Sequence, residues 1–197
     1  ADLDRDGYLD LVAVPLSSPT LLILANRGGA GFDWKAGWEG ITGAGGRTVS
    51  VADLTGDGYP DIVWSGSEGV KVHRNIAGTG FEEVPLPALA EGGNAMGALA
   101  FDFDNDGDLD LLVLNGSHGG NLLRNRGGGD FIPEDAAGFD RAGLSAIAAV
   151  AADFDGDGWL DVVINPLPGA PVLFRNQRDG TFAASDAGLG KIGRAHV

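Results

Sequence analysis

Sixteen of the chain's 22 aspartates fall in four nine-residue windows: DLDRDGYLD (Asp2 to Asp10), DLTGDGYPD (Asp53 to Asp61), DFDNDGDLD (Asp102 to Asp110) and DFDGDGWLD (Asp153 to Asp161). The shared pattern, D-x-[DT]-x-D-G-x-x-D, offers side-chain oxygens at positions 1, 3, 5 and 9. The candidate ligands are Asp2, Asp4, Asp6 and Asp10; Asp53, Thr55, Asp57 and Asp61; Asp102, Asp104, Asp106 and Asp110; Asp153, Asp155, Asp157 and Asp161. Tyr8, Tyr59, Asp108 and Trp159 at position 7 would contribute a backbone carbonyl, with the Asp108 carboxylate turned outward. Gly7, Gly58, Gly107 and Gly158 stand at position 6, where the loop must bend sharply without a Cβ clash. Converging carboxylates repel each other unless a cation sits among them. Oxygen ligands on a flexible loop, without His or Cys, select a hard ion, Ca²⁺ before Mg²⁺. Four such ions would bring the net charge from −15 to −7.

The sites are not expected to be equal. Thr55 replaces a carboxylate in the second, which should weaken it, and the first begins at residue 2, without a preceding strand, so its loop is expected to fray. A helix-flanked calcium loop of the EF-hand kind needs an acid at position 12. Here that position holds Ala13, Trp64, Val113 and Ile164, so that reading fails.

The elements that must position these windows repeat with them. Successive windows start 51, 49 and 51 residues apart, and Asn26, Asn75, Asn125 and Asn176 each precede a turn and then an aromatic six residues on: Phe32, Phe81, Phe131 and Phe182. Two motifs sharing one period mark a tandem repeat. Small-apolar runs such as Val49–Ala52 precede the windows and β-branched runs such as Val162–Ile164 follow them. A third run leads into each Asn and a fourth starts at each Phe, with Gly- and Asn-rich turns between. Four short antiparallel strands per 50 residues make one propeller blade. The fold class is therefore all-β, a partial β-propeller of about four four-stranded blades, with repeats at about 1–46, 47–95, 96–145 and 146–190. The stretches Ala88 to Ala100 and Ala136 to Ala149 read as inter-blade connections with room for a short helical turn.

With 28 acidic against 13 basic residues the chain lacks the basic surface that nucleic acid or anionic membranes require. No apolar run is long enough to span a bilayer, and zero Cys excludes disulfides and thiolate chemistry. The chain starts without Met, inside a repeat, and is expected to be a fragment. Its last residues, Ile192 to Val197 (IGRAHV), look like a translated sequencing adapter, so 191–197 is taken as a non-native tail that packs against nothing.

The pairing of windows such as DFDGDGWLD with LFRNQRDGTF resembles the FG-GAP/VCBS repeat family of integrin α-like calcium-loop propellers, and especially the branch of cartilage acidic protein and its bacterial relatives. The resemblance implies a seven-bladed propeller in full-length relatives, up to four Ca²⁺ here, calcium loops on one rim, and an extracellular, periplasmic or cell-surface location. It implies a non-catalytic recognition or adhesion scaffold for an extracellular protein or glycan. The alternative is the propeller portion of a secreted polysaccharide-acting enzyme whose chemistry lies mostly outside these residues.

Few residues suggest catalysis. His73 reads as a blade-surface residue in a strand, and His118 as part of a glycine-rich turn. Carboxylates committed to a cation are poor glycosidase acids. Trp34 and Trp38 have two readings, stacking on sugar rings or covering a blade edge or core, while Trp64 and Trp159 read as packing residues. Gly43, Gly45 and Gly46 lack the strand-to-helix context of a dinucleotide fingerprint.

Overall fold

The computed structural model describes residues 1–15, 18–89, 94–116, 118–139 and 144–185, and every regular element among them is a β-strand. The first sheet is β1 (Leu11–Ala13), β2 (Leu22–Asn26) and β3 (Phe32–Asp33). The second is β4 (Thr48–Ala52), β5 (Asp61–Gly66), β6 (Gly69–Asn75) and β7 (Phe81–Val84). β8 (Gly97–Phe101), β9 (Asp110–Leu114), β10 (Gly120–Asn125) and β11 (Phe131–Pro133) make the third. β12 (Ala146–Ala152), β13 (Asp161–Pro166), β14 (Val172–Asn176) and β15 (Phe182–Ser185) make the fourth. Each sheet is an antiparallel meander in chain order, one of three strands and three of four. The expected blades are there, the first short of one strand. Third strands end on the repeated Asn and fourth strands start on the repeated Phe, because the Gly-rich turn between them fixes the hairpin register: Asn75 pairs with Phe81 and Asn176 with Phe182. No helical turn occurs in the described parts of the two Ala/Gly-rich stretches, which instead open β8 and β12. The adapter-like tail lies outside the described residues.

The core is distributed between sheets rather than enclosed by any one of them. On β5, Ile62 and Trp64 join a cluster with Leu3, Ile23 and Trp38 of the first blade, while Val63 joins Leu111, Val113 and Leu123 of the third. β9 repeats the division, sending Leu112 and Leu114 toward Val162, Phe174 and Phe182 of the fourth. A middle blade buries both faces, so its second strand reads as an unbroken apolar run instead of an alternating one.

Hydrogen bonds accompany this packing, and the repeated Asn makes them. Asn125 Nδ2 donates to Leu109 O in its own blade (3.0 Å) and to Leu54 O in the preceding one (2.7 Å). Asn75 does the same to Pro60 O and Leu3 O, and Asn176 to Leu160 O and Phe103 O. Each Asn Oδ1 then accepts amides of its own turn, as Asn125 does from Gly127 and Gly129. The turn must pass close to the neighbouring window. At Gly78 (φ +73°) a Cβ would lie 2.8 Å from the Asp4 Cα, so this left-handed position also has no space for a side chain.

His73 departs from expectation. It is in a strand, β6, but buried at 6% exposure rather than on the blade surface. It stands opposite Ile62 and Glu83, two residues before the repeated Asn, where the third and fourth blades carry fully buried Leu123 and Phe174. Its Nε2 has no hydrogen-bond partner. Burial pushes its pKa down, with Glu83 opposing and Lys71 adding to the shift.

Two predictions follow from the packing. Asn125→Ala orphans two buried carbonyls and two turn amides, and should lower unfolding stability by at least about 2 kcal/mol in urea titrations; Asn26→Ala, which breaks no described inter-blade bond, should cost less. His73→Leu removes a buried unpaired nitrogen and should stabilise by about 1–2 kcal/mol. Because folding depresses the His73 pKa, its neutral form is fully compatible with the fold above the unfolded value near 6.5, and stability is lost as pH falls below it. The gap between variant and wild type should therefore widen from pH 7.5 to 5.5 in paired melting curves.

Candidate metal centres

Each window links the first strand of a blade to the second; in the first blade it leads directly into β1. The loops close on backbone amides. Asp53 Oδ1 accepts from Gly56 and Asp57 and its Oδ2 from Gly58, and Asp153 repeats this with Gly156, Asp157 and Gly158. At position 5 a carboxylate accepts the position-7 amide: Asp6 from Tyr8, Asp57 from Tyr59, Asp106 from Asp108 and Asp157 from Trp159, all at 2.8–2.9 Å. The first window, expected to fray, is held the same way, with Asp2 accepting from Asp6 and Gly7.

The glycine at position 6 is required for its backbone angle rather than for space. Gly7, Gly58, Gly107 and Gly158 have φ between +86° and +95°, yet nothing lies within 4 Å of a Cβ built on Gly7, Gly107 or Gly158. Position 4 is left-handed too, at Arg5, Gly56, Asn105 and Gly156. With both bends in place, the carboxylates of positions 1, 3 and 5 converge in the first and fourth windows.

Carboxylate oxygens converge to within 4.8 Å of one another in three windows: Asp2, Asp4 and Asp6; Asp102, Asp104 and Asp110; Asp153, Asp155 and Asp157. The second window, with Thr55, supplies no such trio among the described residues. Asp108 stays outside its cluster, half-buried beside Gly127 rather than turned fully outward.

Position 9 behaves differently from the others. Asp110 Oδ2 accepts the Phe103 amide (3.0 Å) and its Oδ1 the Asn125 amide (2.8 Å). Asp10 binds the Leu3 and Asn26 amides and Asp61 those of Leu54, Thr55 and Asn75, whereas Asp161 takes Asn176 and the Arg175 guanidinium. These four are buried and join the window to the third strand; only Asp110 also approaches a cluster. Burial pushes Asp110 up to about 7 against the two amides, and Asp104 and Asp106 add to the rise. Asp61 is raised for the same leading reason.

A basic partner at position 3 is a feature that sequence reasoning missed. Asp4 pairs with Lys35 (2.7 Å), Asp104 with Arg124 (3.0 Å) and Asp155 with Arg175 (2.9 Å). Arg74 occupies the same register as Arg124 and Arg175, but opposite Thr55 it turns instead to Glu82 (2.6 Å). Burial raises Asp104, helped by Asp106 and opposed by Arg124; at Asp4 burial is outweighed by Lys35, and the pKa falls. The recurring Arg-Asn dipeptide was the available signal.

The residues fit an oxygen-preferring divalent cation. Asp102 Oδ1, Asp104 Oδ1 and Thr55 Oγ1 are buried with no hydrogen-bond partner, which leaves acceptor lone pairs enclosed within the loops. Amides and cationic side chains satisfy part of each carboxylate set and leave these oxygens free.

The other candidates separate by burial. Trp38 is a packing residue at 1% exposure, donating Nε1–H to Gly78 O of the next blade, and Trp64 is likewise buried. Trp159 is half-buried, Trp34 is 62% exposed, and His118 lies exposed on the turn after β9.

Known proteins share this architecture. Cartilage acidic protein 1 from Mus musculus is 27% identical over 140 residues, and that from Xenopus tropicalis 29% over 135, each alignment covering 61% of this chain. The chain spans about a fifth of the length of these relatives. An Agrocybe aegerita lectin described for recognition of non-reducing terminal N-acetylglucosamine superposes with a TM-score of 0.64 at 23% identity, over 94% of this chain and 50% of the lectin. The V. cholerae biofilm matrix protein Bap1 superposes at 0.57 and 21% identity, over 92% of this chain and 26% of Bap1. The FG-GAP-like repeat family matches at residues 2–64, 53–113, 102–164 and 153–196, the first three matches each running from one acidic window through the next, and the chain belongs to that family.

Proposed function

We propose that this chain is a calcium-braced propeller module of a secreted protein, acting as a non-catalytic scaffold that recognises an extracellular protein or glycan. The observation that carries the calcium reading is the set of enclosed, unpartnered oxygens at Asp102, Asp104 and Thr55, inside the second and third loops. Positions 1, 3 and 5 of each window would hold the ion with the carbonyls of Tyr8, Tyr59, Asp108 and Trp159. Position 9 would contribute in the third window, through Asp110. Bound calcium supplies positive charge at the turn between the first two strands of a blade and relieves carboxylate repulsion there. Loops of this openness suit the weak affinities of extracellular modules, about 10⁻⁴–10⁻³ M, which match millimolar calcium outside cells.

The recognition reading draws on relatives named for cartilage, and on proteins of like fold named for a lectin and a biofilm matrix. Exposed Trp34 is the described side chain best suited to stack on a sugar face. No helix among the described residues is long and apolar enough to cross a membrane.

Calcium at millimolar concentration against EDTA should raise the melting midpoint by roughly 10 °C, since sites of about 0.1 mM affinity contribute about 1.4 kcal/mol each. An unchanged midpoint would remove the calcium reading. Thr55→Asp should tighten the second site, read by calorimetry as one added or stronger binding event, with Arg74 as the nearby cation to pair with it. On a glycan array, Trp34→Ala should abolish any signal that depends on ring stacking while leaving the calcium-dependent melt unchanged.

A further inference from the structure

Position 4 of a window lies between the candidate ligands of positions 3 and 5, at the side where one window meets the next. All four position-4 residues are left-handed, with φ of +59° at Arg5, +72° at Gly56, +60° at Asn105 and +77° at Gly156. Glycine adopts that angle freely, so Gly56 and Gly156 need no further reason. Arg5 and Asn105 carry side chains there, and both side chains reach the following window. Arg5 lies against Gly58, its Nη1 2.8 Å from where a Cβ would stand, with its guanidinium 5.2 Å from the centroid of the Tyr59 ring. Asn105 Nδ2 donates to Gly158 O at 3.1 Å, across 53 positions of chain. Position 4 thus links the first window to the second and the third to the fourth, whereas Gly56 has no side chain to offer the third.

The link from the third window ends on a peptide that the fourth cluster uses. Gly158 O and the Trp159 N–H belong to one planar unit, so the direction of one sets the direction of the other. Trp159 N–H donates to Asp157 Oδ1 at 2.8 Å, and Gly158 N–H donates to Asp153 Oδ2 at 2.9 Å. Asp153 and Asp157, with Asp155, are the converging carboxylates of that window. Arg178, in the turn of the same blade, holds the other Asp157 oxygen, Oδ2, at 2.6 Å. Asn105 is the contact that arrives from a different window. It stands between Asp104, a member of the third cluster, and Asp106, so whatever restrains those neighbours restrains its amide.

We propose, resting on the calcium reading of these windows, that Asn105 is a positioning residue that couples the third and fourth sites, so that an ion in either strengthens binding in the other. With Asp104 held by a cation, the Asn105 amide keeps its line to Gly158 O, the 158–159 peptide keeps its plane, and the Asp157 carboxylate stays in place for the fourth site. That path is ordered once for both windows, which makes binding at the two positively cooperative and, by linkage, reciprocal.

Tb³⁺, a luminescent stand-in for Ca²⁺, reads the fourth window through Trp159, the one tryptophan inside a window. The emission that Trp159→Phe removes belongs to that window, and its displacement by Ca²⁺ gives the affinity there. Asp102→Asn together with Asp104→Asn disables the third window and should lower the affinity of the fourth about fivefold. Asn105→Gly keeps the left-handed turn, should leave the circular dichroism spectrum and the melt in EDTA unchanged, and should lower the affinity by the same factor. Combining all three substitutions should lower it no further, because they cut one path. Arg5→Gly, the same change in the first window, should leave the fourth window's affinity where it was. A fourth window that ignores the loss of the third would overturn the coupling and leave the calcium reading standing. Effects of Asn105→Gly and of the third-window changes that multiply would make Asn105 a local support and overturn the coupling equally. A wild type with no Trp159-dependent emission, and the same melting midpoint in Ca²⁺ as in EDTA, would remove the calcium reading and the coupling together.

Discussion

Much of this structure depends on one buried junction, the position-9 carboxylate and the repeated Asn beside it. In the third blade, Asp110 holds the amides of Phe103 and Asn125, and the Asn125 side chain reaches the Leu54 carbonyl of the blade before. One hydrogen-bonded chain thus ties a window to the third strand of its own blade and to the neighbouring sheet. Buried carboxylates and amides persist only when paired, since an unpaired group would cost several kcal/mol. The junction therefore specifies the position of each blade relative to the next, and apolar packing between sheets supplies most of the stabilisation.

That junction constrains the acidic loops above it. A carboxylate whose oxygens are both engaged by amides is held at one edge of the loop, and the bends at positions 4 and 6 turn the remaining oxygens toward a common centre. The result is a concentration of negative charge that amides and basic side chains offset incompletely. At Asp104 desolvation and Asp106 outweigh Arg124, so the carboxyl is harder to ionise than usual. A cation in the third window would reverse that balance. In the fourth, half-buried Asp157 is already lowered by its bond to Arg178, so a cation there has less strain to relieve.

The period, the strand order and the turns were legible in the sequence because each rests on local chemistry: alternate oxygens, Gly at left-handed positions, and a Phe six residues past an Asn. Less legible were contacts joining residues far apart in the chain. Asn75 and Leu3 are 72 positions apart, and nothing in either residue type announces their bond. The carboxylate at position 9 reads as a ligand from its residue type and spacing. Its burial and amide partners show that it also serves the backbone, which Asp110 does while its carboxylate converges with Asp102 and Asp104. His73 misled for a related reason, since a polar residue in a strand suggests a solvated face, whereas this position of a middle blade is buried.

The uneven repeats support this division of roles. Position 9 and the Asn are Asp and Asn in all four repeats, as a junction without tolerance requires. Position 3 varies, and its variation tracks its surroundings: Thr55 faces no described cation while Arg74 turns to Glu82, and Ala25 in the Arg register leaves Asp4 to Lys35 from a later segment. Charge at position 3 is thus adjusted against a nearby cation, while charge at position 9 is tied to amides that every blade must satisfy. A loop can lose a carboxylate at position 3 and still fold, as the second window does through Asp53 and Asp57. Losing position 9 would instead leave the Asn amide of the third strand and, in the first three windows, the loop amide at position 2 without an acceptor, so the architecture rests on the buried member of each window.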